Sequence, residues 1–466
     1  MSAIQVQGRF HFVYIAKFIR YGLVLCLVPM LQALIRFDLQ SLYTALRQDA
    51  VILVVMAVIS VWLWRQAGFS LTQEALTLKL GFLITRQITL PCNQVAVLEQ
   101  SRPLWLRLLG ASRVTVYAAR SAHFKTVQFF LPKHQAAILA ETMLPVRSDA
   151  TFFEPTGAER IRFTVLSANI ATTAALLWVS ARETTRILGE GIEEQLNHLA
   201  LDNLTRIEQI AELFLPAGVA WLFTLVFVFW GVALFWSLLS TAGFRVSRSG
   251  GVILAKGGHV NHIERRILAS AVIWCDVRTT PSARLLRRYP VYLCAGSFDG
   301  GDIPILVYKK GQEALLEALM PQFRLCPAAL GPVADRSLPQ FLWKGGAAFA
   351  FCGALAGVSV WQLPQLTPVL IIPLLLSLGL VLVSLEAWFT EGVHRNSNHT
   401  LAVQYSRWFT RHSLCVFTPD RAFSTFQTPF SENVARCNFT LRLPCRRKIK
   451  LRGIKRYQAD QLKLVD

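Results

Sequence analysis

The most concentrated chemistry in the sequence lies near its C-terminus, where Arg446, Arg447, Lys448, Lys450, Arg452, Lys455 and Arg456 fall close together. Lys448, Lys450 and Arg452 alternate with Ile449 and Leu451, so a strand there carries one basic face and one buried face. Such a face suits an anionic surface, since each cation near acidic lipid gains ~1 kcal/mol within a Debye length. The same residues read equally well as solvated positives that set topology and bind nothing. Two smaller groups share the character. Arg284, Arg287 and Arg288 cluster, and Arg107 with Arg113 flanks the apolar Leu104-Trp105-Leu106, a basic loop bearing an aromatic wedge.

Elsewhere the residue types that do chemistry are scattered. His259 and His262 precede Cys275, but no fourth ligand follows at a zinc-like spacing, so packed or solvated histidines are expected. Neither of the glycine-rich nucleotide loops occurs. No local signature joins Ser, His and Asp, or Cys and His. The nine cysteines are odd in number, scattered and without C-x-x-C, which predicts small reduced hydrophobes. The sequence therefore predicts no catalytic residue, no cofactor and no metal; it does not read as an enzyme.

The elements that carry these residues must suit an apolar chain. Of 466 residues, 53% are hydrophobic and only 16% charged, against about 25% in soluble proteins, yet the net charge is +20. Six apolar runs approach the ~20 residues that a spanning helix needs. They are Tyr21 to Ile35, Ala50 to Trp64, Phe163 to Ser180, Leu215 to Leu239, Gly345 to Trp361 and Leu366 to Leu385. The first has the basic lead of a signal peptide but no small-residue cleavage site, so it reads as an uncleaved span. Nine of the twelve tryptophans lie in or beside these runs, where an interfacial belt would place them.

Charge alternates between the runs. Residues 1–20 carry +3, 65–162 carry +6, 242–344 carry +7 and 386–466 carry +8, whereas 181–214 carry −4. The positive-inside tendency then predicts cytoplasmic termini and three cytoplasmic polar segments. Excess positive charge distributed in this way is a matter of topology, and no nucleic-acid partner is expected. The spans hold no ionisable group, which argues against a polar transport pathway. Ser167, Asn169, Thr172 and Thr173 read as interhelical hydrogen bonders. Gly353 and Gly357 form a G-x-x-x-G suited to helix packing, within the chain or between copies.

The three polar segments repeat one layout. Alternation from Leu76 to Leu80, a turn at Gly81 and alternation from Phe82 to Leu90 predict a hairpin. Arg113 to Tyr117 and Thr126 to Phe130 add strands, and Gln135 opens a short Ala/Leu helix. The second segment offers strands at Val252 to Leu254, Ile267 to Trp274 and Tyr289 to Cys294, with a closing helix after Gln312. The third offers Leu401, Val403 and Tyr405 and closes after Gln458. Strands closed by one helix fit a small half-open barrel or sandwich.

Leu71-Thr72, Leu80-Gly81-Phe82-Leu83, Arg86, Leu90-Pro91, Val95, Gln100-Ser101 and Leu108-Leu109-Gly110, following a helix pair, resemble the bacterial pleckstrin-homology-like (PH-like) membrane domains. Arg284 to Arg287 stand for the Leu-Leu-Gly element in the second segment, and Arg407 to Arg411 with the last helix are the match in the third. Three copies with six spans resemble the YdbT-like members of that family. The resemblance implies cytoplasmic seven-stranded barrels, each capped by a C-terminal helix, and no catalytic residues.

The expectation is thus an α+β integral membrane protein with six transmembrane helices in three hairpins, each followed by a PH-like domain. The tail and first hairpin take 1–67 and the first domain 68–146. The second hairpin takes 147–241, including an acidic external segment at 181–214, and its domain 242–326. The third hairpin takes 327–388 and the last domain 389–466. The expected role is a scaffold at the bacterial inner membrane. Its expected partners are membrane lipids and another membrane or cytoplasmic protein, with a second copy of the chain as an option. The alternative is a transporter, or a lipid-handling or envelope-stress protein, whose helix bundle carries the activity.

Overall fold

The computed structural model describes residues 4–16, 19, 39–72, 74–81, 85–119, 126–146, 151–168, 205–210, 212, 217–301, 303–312, 314–321, 338–362, 367–395, 400–417, 422–427, 429–443 and 447–457. They fall into two units. The first is Met1–Phe153, Val246–Lys256 and Ile263–Asp466, and the second is Glu154–Arg245 with Gly257–His262.

The chain begins with strand β1 (Ile4–Arg9) and helix α1 (Leu39–Gln66). Strands β2 (Gly68–Thr72), β3 (Ala75–Gly81), β4 (Thr85–Pro91) and β5 (Val95–Pro103) follow. Helix α2 (Leu104–Leu108), β6 (Ala111–Ala118), β7 (Thr126–Pro132) and helix α3 (Lys133–Met143) complete this stretch. The predicted hairpin is β3–β4, with Leu76 paired to Leu90 and Leu78 to Ile88. Leu76, Leu78 and Leu90 are fully buried and share one core with Ala136, Leu139 and Ala140 of α3. Proline stands at the cap of both α2 and α3, where a missing N–H breaks no helical bond.

The next stretch runs β8 (Thr151–Phe153), α4 (Gly157–Ser167), α5 (Ala217–Ser240), β9 (Arg245–Ser249), β10 (Val252–Gly257) and β11 (Asn261–Leu268). It continues with β12 (Val272–Thr279), α6 (Pro281–Leu286), β13 (Arg288–Ala295), β14 (Leu306–Lys309) and α7 (Ala314–Leu319). The apolar run Ile267 to Trp274 is therefore two strands, since a 3₁₀ turn at Ala269–Ala271 divides it. The last stretch is α8 (Leu338–Gln362), α9 (Thr367–Thr390), β15 (Gly392–Arg395), β16 (Thr400–Arg407), β17 (Thr410–Phe417), β18 (Ala422–Phe426), α10 (Pro429–Glu432), β19 (Arg436–Arg442) and β20 (Lys448–Lys455).

The order of elements recurs, and the sheets cross from one stretch into the next. β1 precedes α1 yet pairs with β2, and β8 precedes α4 yet pairs with β9. The first sheet is β1-β2-β3-β4. The second is β7-β6-β5-β11-β10-β9-β8, and the third is β14-β13-β12-β17-β16-β15. The last is β18-β19-β20. Three strands of one repeat thus join the leading strands of its successor in a single sheet, which closed barrels standing apart would not do.

Among the described residues two helical stretches are long and apolar enough to cross a membrane, Leu338–Gln362 and Pro373–Thr390. Shorter apolar stretches are Ala50–Gln66 in α1 and Val226–Ser240 in α5. The expected run from Tyr21 to Ile35, most of that from Phe163 to Ser180, and nearly all of the acidic segment lie outside the described residues. So do Asn169, Thr172 and Thr173. In the second unit Ser167 bonds back to Phe163 of its own helix at 2.8 Å. The link between α4 and α5 is instead Ser237 Oγ donating to the Thr164 carbonyl at 2.8 Å.

Candidate functional site: charged seams between repeats

Asp276 lies on β12, fully buried, where β12 pairs with β17. His412 of β17 places Nδ1 3.0 Å from its carboxylate, and Arg447, just ahead of β20, donates to it at 2.9 Å. Arg278, two residues along the same strand, donates at 3.2 Å. Arg447 also donates to the Tyr405 hydroxyl and lies over the Trp274 ring, 4.6 Å from its centre. Tyr405 in turn stacks on His412 with ring centres 4.7 Å apart. Three segments, β12, β17 and the approach to β20, therefore meet on one carboxylate, and β16 flanks them with Tyr405.

Burial pushes the Asp276 carboxyl upward, but the His412 hydrogen bond and charge, then Arg447 and Arg278, hold it well below the usual carboxylate range. Arg447 is desolvated too, and Asp276 and Tyr405 raise its pKa nonetheless. Asp299 goes the other way, raised chiefly by burial. A His–Asp pair can orient a general base. Here Arg447 stands 3.4 Å from the same His412 Nδ1, and Tyr405 covers the ring. The arrangement gathers two arginines and a histidine around one desolvated anion across a seam.

The earlier seam follows the same plan. Glu99 of β5 accepts from Arg265 of β11 at 2.7 Å, with both side chains mostly buried. Arg266 reaches Glu141 of α3 at 2.8 Å and the Leu144 carbonyl at 2.9 Å. Glu99 and Asp276 are each the fifth residue of their strand. Backbones also close on each other here. Ser297 N–H donates to the Ala118 carbonyl at 2.9 Å, and a Cβ on Gly296 would stand 2.0 Å from that oxygen.

The basic C-terminal run divides between these duties and open surface. Lys448 and Lys450 are exposed while Ile449 and Leu451 are buried, as the alternation predicts. Arg447 is drawn inward by Asp276. Arg452 grips the buried Glu391 twice, through its own backbone N–H and its guanidinium, both at 3.0 Å. It also lies 4.6 Å over the Phe341 ring of α8. Arg284 of α6 pairs with Glu386 of α9. Lys455 approaches the Tyr457 ring, and the Arg456 N–H donates to the Ala435 carbonyl. Arg446 lies outside the described residues.

Leu104 and Trp105 are exposed, whereas Leu106 is buried against Val13 and Ala111. Close approach of α8 and α9 occurs at Gly345, whose added Cβ would meet the Val381 backbone at 3.2 Å. At Gly353 it would touch only Leu374, at 3.9 Å, and at Gly357 it would meet nothing within 4 Å. His259 and His262 belong to the second unit and Cys275 to the first. No metal-holding group of His, Cys, Asp and Glu occurs among the described residues.

Nothing local in the sequence marks Asp276 or His412, and the basic run marks Arg447 only by its charge; the fold gathers the three from distant segments. The one available signal is positional: aligning the repeats puts an acid at the same place in two strands, Glu99 and Asp276.

Residues 23–147, which take in α1 through α3, match the bacterial PH domain family. No curated protein and no solved structure matches the chain.

Proposed function

We propose that the chain is a non-enzymatic, multi-pass protein of the bacterial cytoplasmic membrane, a scaffold whose three PH-like domains bind a protein partner. In this reading the organisation is YdbT-like: six spans in three hairpins, both termini cytoplasmic, and lipid contact secondary. The observation that carries it is the state of α8 and α9. Their most apolar windows are only 11% and 17% buried, yet Arg452, Glu391 and Arg284 tie the feet of these helices to the sheets. Apolar helices left uncovered call for lipid as their solvent.

The recurring element order supports extending that role to α1 and to the α4–α5 pair. The bacterial PH domain at 23–147 supports an interaction or scaffold role. Within the basic C-terminal run, Lys448, Lys450 and Arg456 are exposed to anionic headgroups.

Purification at native expression levels in mild detergent tests the proposal, with a stoichiometric partner protein as the expected result. Absence of any partner, together with solute or lipid movement in proteoliposomes, would favour the transporter or lipid-handling alternative.

A further inference from the structure

Within the chain one joint is made twice. The strand that opens the second half of a repeat, β5 or β12, pairs with the last leading strand of the following repeat, β11 or β17. The counterpart of β5 and β12 in the last repeat is β18, and the counterpart of β11 and β17 in the first is β4. Each ends its sheet: among the described residues β4 is bordered only by β3, and β18 only by β19. An edge strand presents backbone donors and acceptors to any strand that fits it.

The register of the joint is known. At the β12–β17 seam the fifth residue of the first strand, Asp276, lies opposite Leu414, fourth from the end of the second. At the β5–β11 seam the residues in those places, Glu99 and Arg265, form the 2.7 Å ion pair. Carried to the two edges, this register sets Phe426 opposite Ile88 and Thr425 opposite Thr89. Phe426 is 64% exposed and Ile88 half-buried. The place held by Glu99–Arg265 at one internal joint and by Asp276–Leu414 at the other is apolar on both outer edges, so the two suit each other.

The geometry points to self-association, in which β18 of one chain adds antiparallel to β4 of a second copy and repeats the internal joint between molecules. The contact is head-to-tail, so each dimer keeps one unused β4 and one unused β18. Association therefore continues to longer oligomers unless a ring closes.

The test uses the full chain in detergent. Mass photometry over a micromolar range is expected to show dimers and longer species growing with concentration. Phe426→Glu weakens them by about tenfold or more in dissociation constant. Adding Ile88→Arg to the same chain restores them, because the double variant can join only through a Glu–Arg pair copied from Glu99–Arg265. Because Ile88 also touches the core, a second readout avoids it. Under mild oxidation the double variant Thr89→Cys, Thr425→Cys gives an intermolecular disulfide ladder, and each single variant alone gives no additional product. A monomer at all concentrations, oligomers indifferent to Phe426→Glu, or a double variant without the ladder would overturn the inference.

Discussion

Asp276 sets the electrostatics of its seam. Its folded carboxyl is held below the usual range, so on acidification the unfolded chain takes up a proton that the folded chain refuses. Its contribution is complete above the unfolded value of about 3.9 and is lost as pH falls below it, which makes the fold less stable in acid. Thermal unfolding followed from pH 7 to pH 3 is expected to show this loss, and Asp276→Asn to flatten it. At neutral pH that substitution leaves Arg447 buried against a neutral partner and is expected to cost about 3–5 kcal/mol by denaturant unfolding. None of this was visible as a motif, because an ion pair between β12 and the approach to β20 depends on tertiary register. The basic run showed only its charge, and whether a given arginine faces water or a carboxylate was decided elsewhere in the chain.

Elements were legible where a single period ran unbroken. The Leu76 to Leu90 hairpin and the helix at Gln135 stand where alternation and the Ala/Leu stretch put them. The strands that precede their helices were hidden: β8 has three residues and β1 is separated from its partner by α1. The division of Ile267 to Trp274 was hidden too, because a turn made of Ala269-Ser270-Ala271 carries no glycine or proline. Two glycines give an element-scale test. Gly296→Ala forces a Cβ into the Ala118 carbonyl at positive φ, whereas Gly110→Ala meets positive φ with open space around it. The second is expected to cost about 1–2 kcal/mol and the first clearly more, read as paired shifts in melting temperature. Arg452→Gln removes the guanidinium half of the grip on Glu391 and leaves the backbone half. It is expected to cost about 1–3 kcal/mol and to speed amide hydrogen exchange in β15 and β20 relative to β2 and β3.

At the scale of the molecule, the proposed membrane role of α8 and α9 predicts that the chain needs lipid or detergent to remain dispersed. Leu355→Arg, on an exposed face in the middle of α8, is expected to raise the cost of insertion by about 2.5–3.5 kcal/mol. The check is a loss from the membrane fraction after alkaline extraction. The sharing of sheets also sets a schedule for synthesis. β5 leaves the ribosome long before β11, with about 150 residues between them, and at ordinary elongation rates that interval is roughly 8–30 s. Throughout it the flank of β5 that will meet β11 stays bare, beside a Glu99 still waiting for Arg265. A nascent chain of this design therefore carries an adhesive flank for about a third of its own translation, and neighbouring nascent chains on one polysome compete for it with the chain's own next repeat.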